Sequence, residues 1–412
     1  MMKINRSLFV CFICWLCAFV AHGQQYRSSV YSGFGIGEIK YPSTSYFKSM
    51  GGTSIGVTSK YHVNLDNPAA NTYLGGESFQ NQFDIGFYIN NRELKSEEIS
   101  GSLTDGGLAY VNFWTRFNSK WTGMVGITPI SLMGYDVMEK DVQLGNGDRY
   151  DLNYVGSGGF SKAYLAMSYE VFKGLTLGGR LGYIFGSLSQ EEKYMNEAGY
   201  ALFTLDSRTT VNRLNFDISM NYQYQFEKSA LNFGAIYETK VELKGTNITE
   251  LSDEIDEYTF DRGESYTSLT IPEQIGIGLS YQNELLIVGL DVMKMGWENV
   301  SSSYPEISLR DSYRYSIGIS YLPTLNPDTF FHKIRYSAGG YINQSHLIIE
   351  GVSFVDYGVS AGISIPVNNA IFDFYYNRAI NGTTTKGLVQ ESVHELGLSI
   401  SFKGRWMKTR YY

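Results

Sequence analysis

The chain is built of runs in which apolar and polar residues alternate strictly. In the clearest run, Leu214, Phe216, Ile218, Met220, Tyr222, Tyr224 and Phe226 fall on one face and Asn215, Asp217, Ser219, Asn221, Gln223 and Gln225 on the other. A period of two places successive side chains on opposite sides of an extended strand, so the run has one apolar and one wet face. The same alternation sets Ile275, Ile277, Leu279 and Tyr281 against Gly276, Gly278 and Ser280. It sets Tyr313, Tyr315, Ile317, Ile319 and Tyr321 against Arg314, Ser316, Gly318 and Ser320, and Leu396, Leu398, Ile400 and Phe402 against Gly397, Ser399 and Ser401. This rule predicts about fourteen strands, at 79–90, 108–116, 121–131, 160–171, 175–185, 214–226, 231–240, 275–281, 285–292, 313–321, 333–341, 355–365, 371–376 and 396–402.

The joins sort by length. Tight ones at 117–120, 172–174, 227–230, 282–284 and 366–370 alternate with long ones at 91–107, 132–159, 186–210, 241–272, 293–312, 343–354 and 377–392. A transmembrane antiparallel β-barrel has this habit, with short periplasmic turns and long outer loops, and an even strand number returns both ends of the chain to the periplasm. The expected fold is therefore all-β. Composition fits, since 33 Tyr and 24 Phe can furnish interfacial girdles, while 44 Gly suit strands that bend or leave room inside. No apolar run is long enough for a spanning helix, and without helices only a closed barrel satisfies every backbone group in lipid.

The front of the chain reads as an export signal over 1–23: Lys3 and Arg6, an apolar stretch from Leu8 to Val20, then Ala21-His22-Gly23 before Gln24. Cys11, Cys14 and Cys17 all lie within it, so the processed chain has no disulfide and no thiolate metal ligand. Loss of Lys3 and Arg6 takes the formal charge from −8 to about −10, a balance that argues against nucleic acid as a partner. Residues 24–77 precede the first strand of a barrel domain spanning 78–412. They form either a periplasmic leader or a plug in the barrel mouth, and a plug would account for the inward glycines Gly276, Gly278, Gly318 and Gly397.

Within 24–77 stands Met50-Gly51-Gly52-Thr53-Ser54-Ile55-Gly56-Val57, followed by Leu65-Asp66-Asn67-Pro68-Ala69-Ala70. This resembles the N-terminal signature of the FadL-type outer-membrane transporters of long-chain fatty acids and aromatic hydrocarbons. Weaker likenesses follow in the family's order at Ile271-Pro272-Glu273, Trp297 and Arg310-Asp311-Ser312-Tyr313-Arg314, while the tail from Phe330 to Trp406 and Tyr412 resembles a Bacteroidetes-type branch. The resemblance implies an N-terminal hatch shaped by Gly51, Gly52, Asn67 and Pro68. It also implies a small hydrophobic compound that docks among outer loops, enters the lumen and leaves through a gap in the wall. Two departures stand out, Asn71 where the family has an apolar residue and the acidity of the outer loops.

Candidate binding residues come from pattern. Ile248, Leu251 and Ile255, spaced by three and four, suggest an amphipathic outer helix with an apolar side for a ligand, or that loop's own small core. Alternation points Arg180, Arg213, Asp217, Asp291, Arg314, Arg335 and Asp373 into the lumen, where pairing with one another and with the plug is the ordinary role. Arg180, Arg314 and Arg335 are the candidates for gripping a carboxylate. Catalytic chemistry finds no foothold. His62, His332, His346 and His394 are scattered, no zinc spacing or Gly-x-Ser-x-Gly elbow occurs, and neither a cofactor nor a metal is expected.

The leading expectation is thus a non-enzymatic outer-membrane barrel, its partners membrane lipid and a hydrophobic small molecule that diffuses inward. Its rival is a FadL-like barrel serving as an interaction or shuttle component of type IX secretion beside a large channel. A general porin is the third reading and needs an open lumen.

Overall fold

The computed structural model describes residues 28–76, 78–96, 100–143, 149–196, 199–253, 258–300 and 307–405; the expected signal at 1–23 lies outside them. Fourteen antiparallel strands close into one barrel. They are β1 (Asn81–Lys95), β2 (Ser100–Arg116), β3 (Trp121–Gln143), β4 (Arg149–Phe172), β5 (Leu175–Met195), β6 (Ala201–Gln225), β7 (Ser229–Glu238 continuing as Val241–Asp253), β8 (Tyr258–Ile271 continuing as Gln274–Asn283), β9 (Leu286–Met295), β10 (Ser312–Tyr321), β11 (Arg335–Ile349), β12 (Val352–Val367), β13 (Ala370–Gly382) and β14 (Gln390–Gly404). β14 pairs with β1 from Gln390↔Lys95 to Gly404↔Asn81, so the sheet has no beginning. No described helix is long and apolar enough to cross a membrane; the strands do the crossing.

The alternation is realised on the wall. Leu214, Phe216 and Ile218 are 64%, 50% and 49% exposed, while Asn215, Asp217 and Ser219 between them are buried. An apolar exterior over a polar interior is the arrangement lipid demands.

The long joins are not loops. Most of their residues extend the strands, so that β3, β4 and β6 reach 23, 24 and 25 residues while β9 and β10 have 10 each. A crossing takes about 9–11 tilted residues, so β3 to β8 stand well above the membrane as a tall curved sheet on one side. The extension also overturns the outer helix expected around Ile248, Leu251 and Ile255. Ile248 pairs with Glu264 and Arg208, and Leu251 with Phe260 and Leu205, within β-ladders. Three residues apart on a strand, Ile248 and Leu251 face opposite ways; Ile255 falls outside the described residues.

Two breaks interrupt the wall. β2 and β3 pair only from Arg116↔Thr122 up to Val111↔Ile127, and the register of β3 on β4 shifts at Pro129/Ser131. Proline offers no N–H to a ladder, so the bend and the parting of the strands coincide. Further round, β6 pairs with the lower part of β7 down from Asp217↔Glu238 and with its upper part from Val211↔Gly245 upward, leaving the stretch between unpaired.

Candidate functional site: a filled lumen and two breaks in the wall

Residues 28–76 lie inside the cylinder. Tyr46, Phe47, Met50, Ile55, Val57, Val63, Leu65 and Leu74 are almost wholly buried, and the wall receives them with missing side chains. A Cβ on Gly339 would sit 2.1 Å from the carbonyl carbon of Met50, and one on Gly278 would sit 2.3 Å from the backbone nitrogen of Gly56. Gly276 and Gly318 likewise face Ile55 and Met50, as a plug requires. Gly397 differs: its space is taken by the ring of Tyr375, a wall residue.

Polar contacts fix the segment at several depths. The Asp291 carboxylate accepts from the backbone N–H groups of Ser54 (2.6 Å), Ile55 (2.8 Å) and Gly56 (3.3 Å). Ser360 Oγ accepts from Gly51 N at 2.9 Å and donates to Ser49 O at 3.0 Å. His62 meets Asp373 at 3.2 Å and stacks on Tyr46 with ring centroids 3.8 Å apart. Asn67 caps the 3-10 turn Pro68–Tyr73 by accepting from Ala69 N (3.1 Å), and its amide donates to Ile55 O (2.8 Å) and to Met220 O (3.1 Å) of the wall. Pro68 O accepts from Ser168 Oγ at 2.8 Å. Asn71, the departure from the family pattern, donates to Asn64 O (2.7 Å) and accepts from Asn64 N (2.8 Å), closing the turn on itself.

The three candidate arginines occupy three separate places. Arg180 donates to Asp217 (2.5 Å) and to Leu65 O (2.6 Å), binding wall and segment together. Arg335 lies on the side of the tight turns, lining a vestibule of about 700 Å³ with Gln225, Gln282 and Tyr61. Arg314 alone faces the outer cavity, its guanidinium 3.8 Å from the ring centre of Tyr341 and 4.8 Å from that of Tyr41, with Gly51 O accepting at 3.3 Å. The cavity holds about 180 Å³, and Glu38, Lys40, Lys48, Arg92, Asp356 and Glu395 line it with Arg314. Burial pushes the Lys48 ammonium down from its ordinary value. Burial raises the Glu38 carboxyl too, but Arg92 and Lys40 more than reverse this and hold it at about 2.

The first break is sealed from within. Ser28 N donates to Gly134 O (2.7 Å) and Lys40 N to Ile130 O (2.9 Å), while Glu38 and Ile39 pair with Leu132 and Ser131, so the segment replaces β2 on the freed edge of β3. A buried ionic cluster locks it: Arg92 donates to Glu38 (2.8 Å) and Glu391 (2.9 Å) and lies 3.9 Å from Asp105. Glu391 in turn accepts from Ser29 Oγ (2.7 Å) and Val30 N (2.9 Å). Arg92, Asp105 and Glu391 fall in the long joins 91–107 and 377–392, where the expected loops hide them. The period of two continued past Asn90 reaches Arg92, and carried back from Gly397 it reaches Glu391. The register shift opposite Gly86/Phe87, by contrast, takes Asp105 out of step with Tyr110 and Asn112.

The second break has no such cover. Arg213 pairs with Ile184 on β5 and shares the inward face of Val211 and Asn215, yet it is exposed while those three are buried. Behind it, Lys162 reaches Glu238 and lies 3.6 Å from Asp217, continuing the chain of charges that starts at Arg180.

A closed cylinder with an apolar exterior, a charged lumen and its own N-terminal segment packed inside is an outer-membrane β-barrel. The chain belongs to the BamG family, which matches residues 1–412. No curated protein matches it. Among solved structures it is similar to the toluene transporter TbuX of Ralstonia pickettii, with TM-score 0.62, 16% identity, and 88% of this chain and 98% of that one covered. The toluene transporter TodX of Pseudomonas putida gives TM-score 0.58, 16% identity and coverage of 89% and 98%. The monoaromatic hydrocarbon channel CymD gives TM-score 0.55, 13% identity and coverage of 90% and 99%. These likenesses establish the shared fold.

Proposed function

We propose that this barrel works closed, as a non-enzymatic component of the outer membrane that meets another membrane protein through its tall outer hairpins. One observation carries the reading: the cavity on the outer side of the segment holds about 180 Å³ and is lined by seven carboxylate, ammonium and guanidinium side chains. An apolar guest gains about 25 cal/mol per Å² of surface buried. Seating it here would strip water from charged groups, at several kcal/mol for each left unpaired. The height of β3 to β8, well beyond what crossing needs, supplies surface for a protein partner. A secretion-system channel, expected from the resemblance to a Bacteroidetes-type branch, is one such partner.

The second reading is passage of small hydrophobic compounds, long-chain fatty acids or aromatic hydrocarbons. The shared fold with toluene transporters and the parting of β2 from β3 favour it. In that case residues 24–77 are a moving hatch, and Arg314 meets the carboxylate of an acid.

Two measurements separate them. Cells with and without the gene are given labelled oleate and toluene; equal uptake is expected, and gene-dependent uptake overturns the closed-barrel reading in favour of passage. A cysteine at Tyr200, 72% exposed beside the β5–β6 turn, then carries a short crosslinker in intact cells. One adduct of defined mass with an outer-membrane protein is expected; a chain that stays free overturns the partner.

A further inference from the structure

The second break has a shape and charge that the closed-barrel reading does not use. On β6 the exposed apolar residues run from Phe226 to Leu214, and beyond Leu214 the exposed positions become Asn212, Thr210 and Arg208. The lipid band therefore ends at Leu214, on the side away from the tight turns, which is the level of the outer leaflet's headgroups. The unpaired stretch opens there as a notch of about 350 Å³. Leu181, Leu214 and Phe216 form its apolar lower margin, all half exposed or more, and Arg213 and Lys240 stand at its mouth. Glu242 also lines it, and Lys244 follows on the same exposed face of β7. Among the described residues neither Arg213 nor Lys240 forms an ion pair. An inward-facing arginine that emerges through a gap in the wall, beside a lysine and above bare apolar surface, is matched by an anionic amphiphile.

We propose that the break between β6 and β7 binds the phosphate headgroup of an outer-leaflet lipid, with its acyl chains lying along Leu181, Leu214 and Phe216. Arginine and lysine are both apt partners for phosphate, the first by its planar fork and the second as a point charge. The inference does not depend on whether the barrel meets a protein or passes a compound.

The test uses the full chain purified in detergent and titrated with lipid A, with lipid A stripped of its phosphates, and with inorganic phosphate, complexes being counted by native mass spectrometry. Lipid A should bind, and the double variant Arg213→Gln/Lys240→Gln should bind it about tenfold more weakly while still migrating as a folded barrel. Glu242→Gln removes the one opposing charge at the notch and should tighten binding several-fold. Unchanged affinity in the double variant, or equal retention of dephosphorylated lipid, overturns the proposal. Binding of inorganic phosphate as tight as that of lipid A overturns the lipid as the occupant.

Discussion

The two breaks in the wall differ in what the chain does about them. Where β2 parts from β3, residues 28–40 move in, satisfy the exposed edge with backbone hydrogen bonds and are tied by Arg92 to three carboxylates. Where β6 parts from β7, only Thr239 and the Asn215–Glu238 hydrogen bond at the lower edge reach across among the described residues, and Arg213 is left exposed. A freed strand edge inside a membrane protein must find partners or water. The first gap opens onto the packed lumen and is filled by protein; the second opens at the headgroup level, where polar molecules are at hand. A gap in a barrel is thus not by itself a passage, because its depth and backing decide what occupies it.

The contrast breaks most sharply at Arg92. Arg92→Met leaves Glu391 and Asp105 without their cation in a buried site and Glu38 with Lys40 alone, which should cost about 3–5 kcal/mol. The expected outcome is a lower unfolding midpoint in detergent together with protease cleavage within 28–41, the barrel staying intact. Full protection in the variant would show that the backbone pairing alone holds the seal. Acid probes the same cluster. The Glu38 carboxyl is held at about 2 instead of its ordinary 4.5, so its contribution is complete above 4.5 and is lost as pH falls through about 2. Protection of 28–41 should therefore persist at pH 4 and fail near pH 2; failure already at pH 5 would contradict the assignment.

Next comes the seat of the segment. Gly339→Val drives side-chain atoms against the backbone of Met50 and Gly51, where nothing flexible can yield. Overpacking of this kind costs about 1–3 kcal/mol or more. Ion conductance across a planar bilayer should rise as the segment is displaced. Gly397→Val is directed against the ring of Tyr375, a wall residue, and not against the backbone of the segment, and should leave conductance unchanged.

How much of this was legible in the sequence follows from which signals are periodic. Strand faces, the strand number and the inward charges Arg180, Asp217, Asp291 and Asp373 follow from a period of two, which lipid on one side enforces. Above the membrane neither face of a strand meets lipid, so the outer continuations lose the alternation and read as loops. Arg92 and Glu391 are hidden for that reason, and Ile248 and Leu251 imitate a helix. The three candidate arginines share a facing direction but not a depth, and depth depends on how residues 28–76 divide the lumen, which alternation does not record.

The smallest expected effect compares two threonines at the margins of the breaks. Thr239 Oγ1 donates to Phe216 O at 2.9 Å, and Phe216 N approaches it at 3.5 Å, a side-chain bridge across the second gap beside the Asn215–Glu238 hydrogen bond of 2.9 Å. Thr128 Oγ1 reaches Ala109 O at 3.4 Å just past the end of the β2–β3 ladder, a long contact with residues 28–40 pairing a few positions further along β3. A typical hydrogen bond contributes about 1 kcal/mol net. Thr239→Val should therefore cost about that much on urea unfolding in micelles, and Thr128→Val less. The sharper readout is chemical. A cysteine placed at Arg213 should react faster with a water-soluble maleimide when Thr239 is valine, because the gap is then spanned only by the Asn215–Glu238 hydrogen bond among the described residues. Labelling at Ala109→Cys should be indifferent to Thr128→Val, since the segment behind that gap remains seated. Equal acceleration at both places would mean that neither break is backed, and the distinction between a sealed gap and an open one would fall.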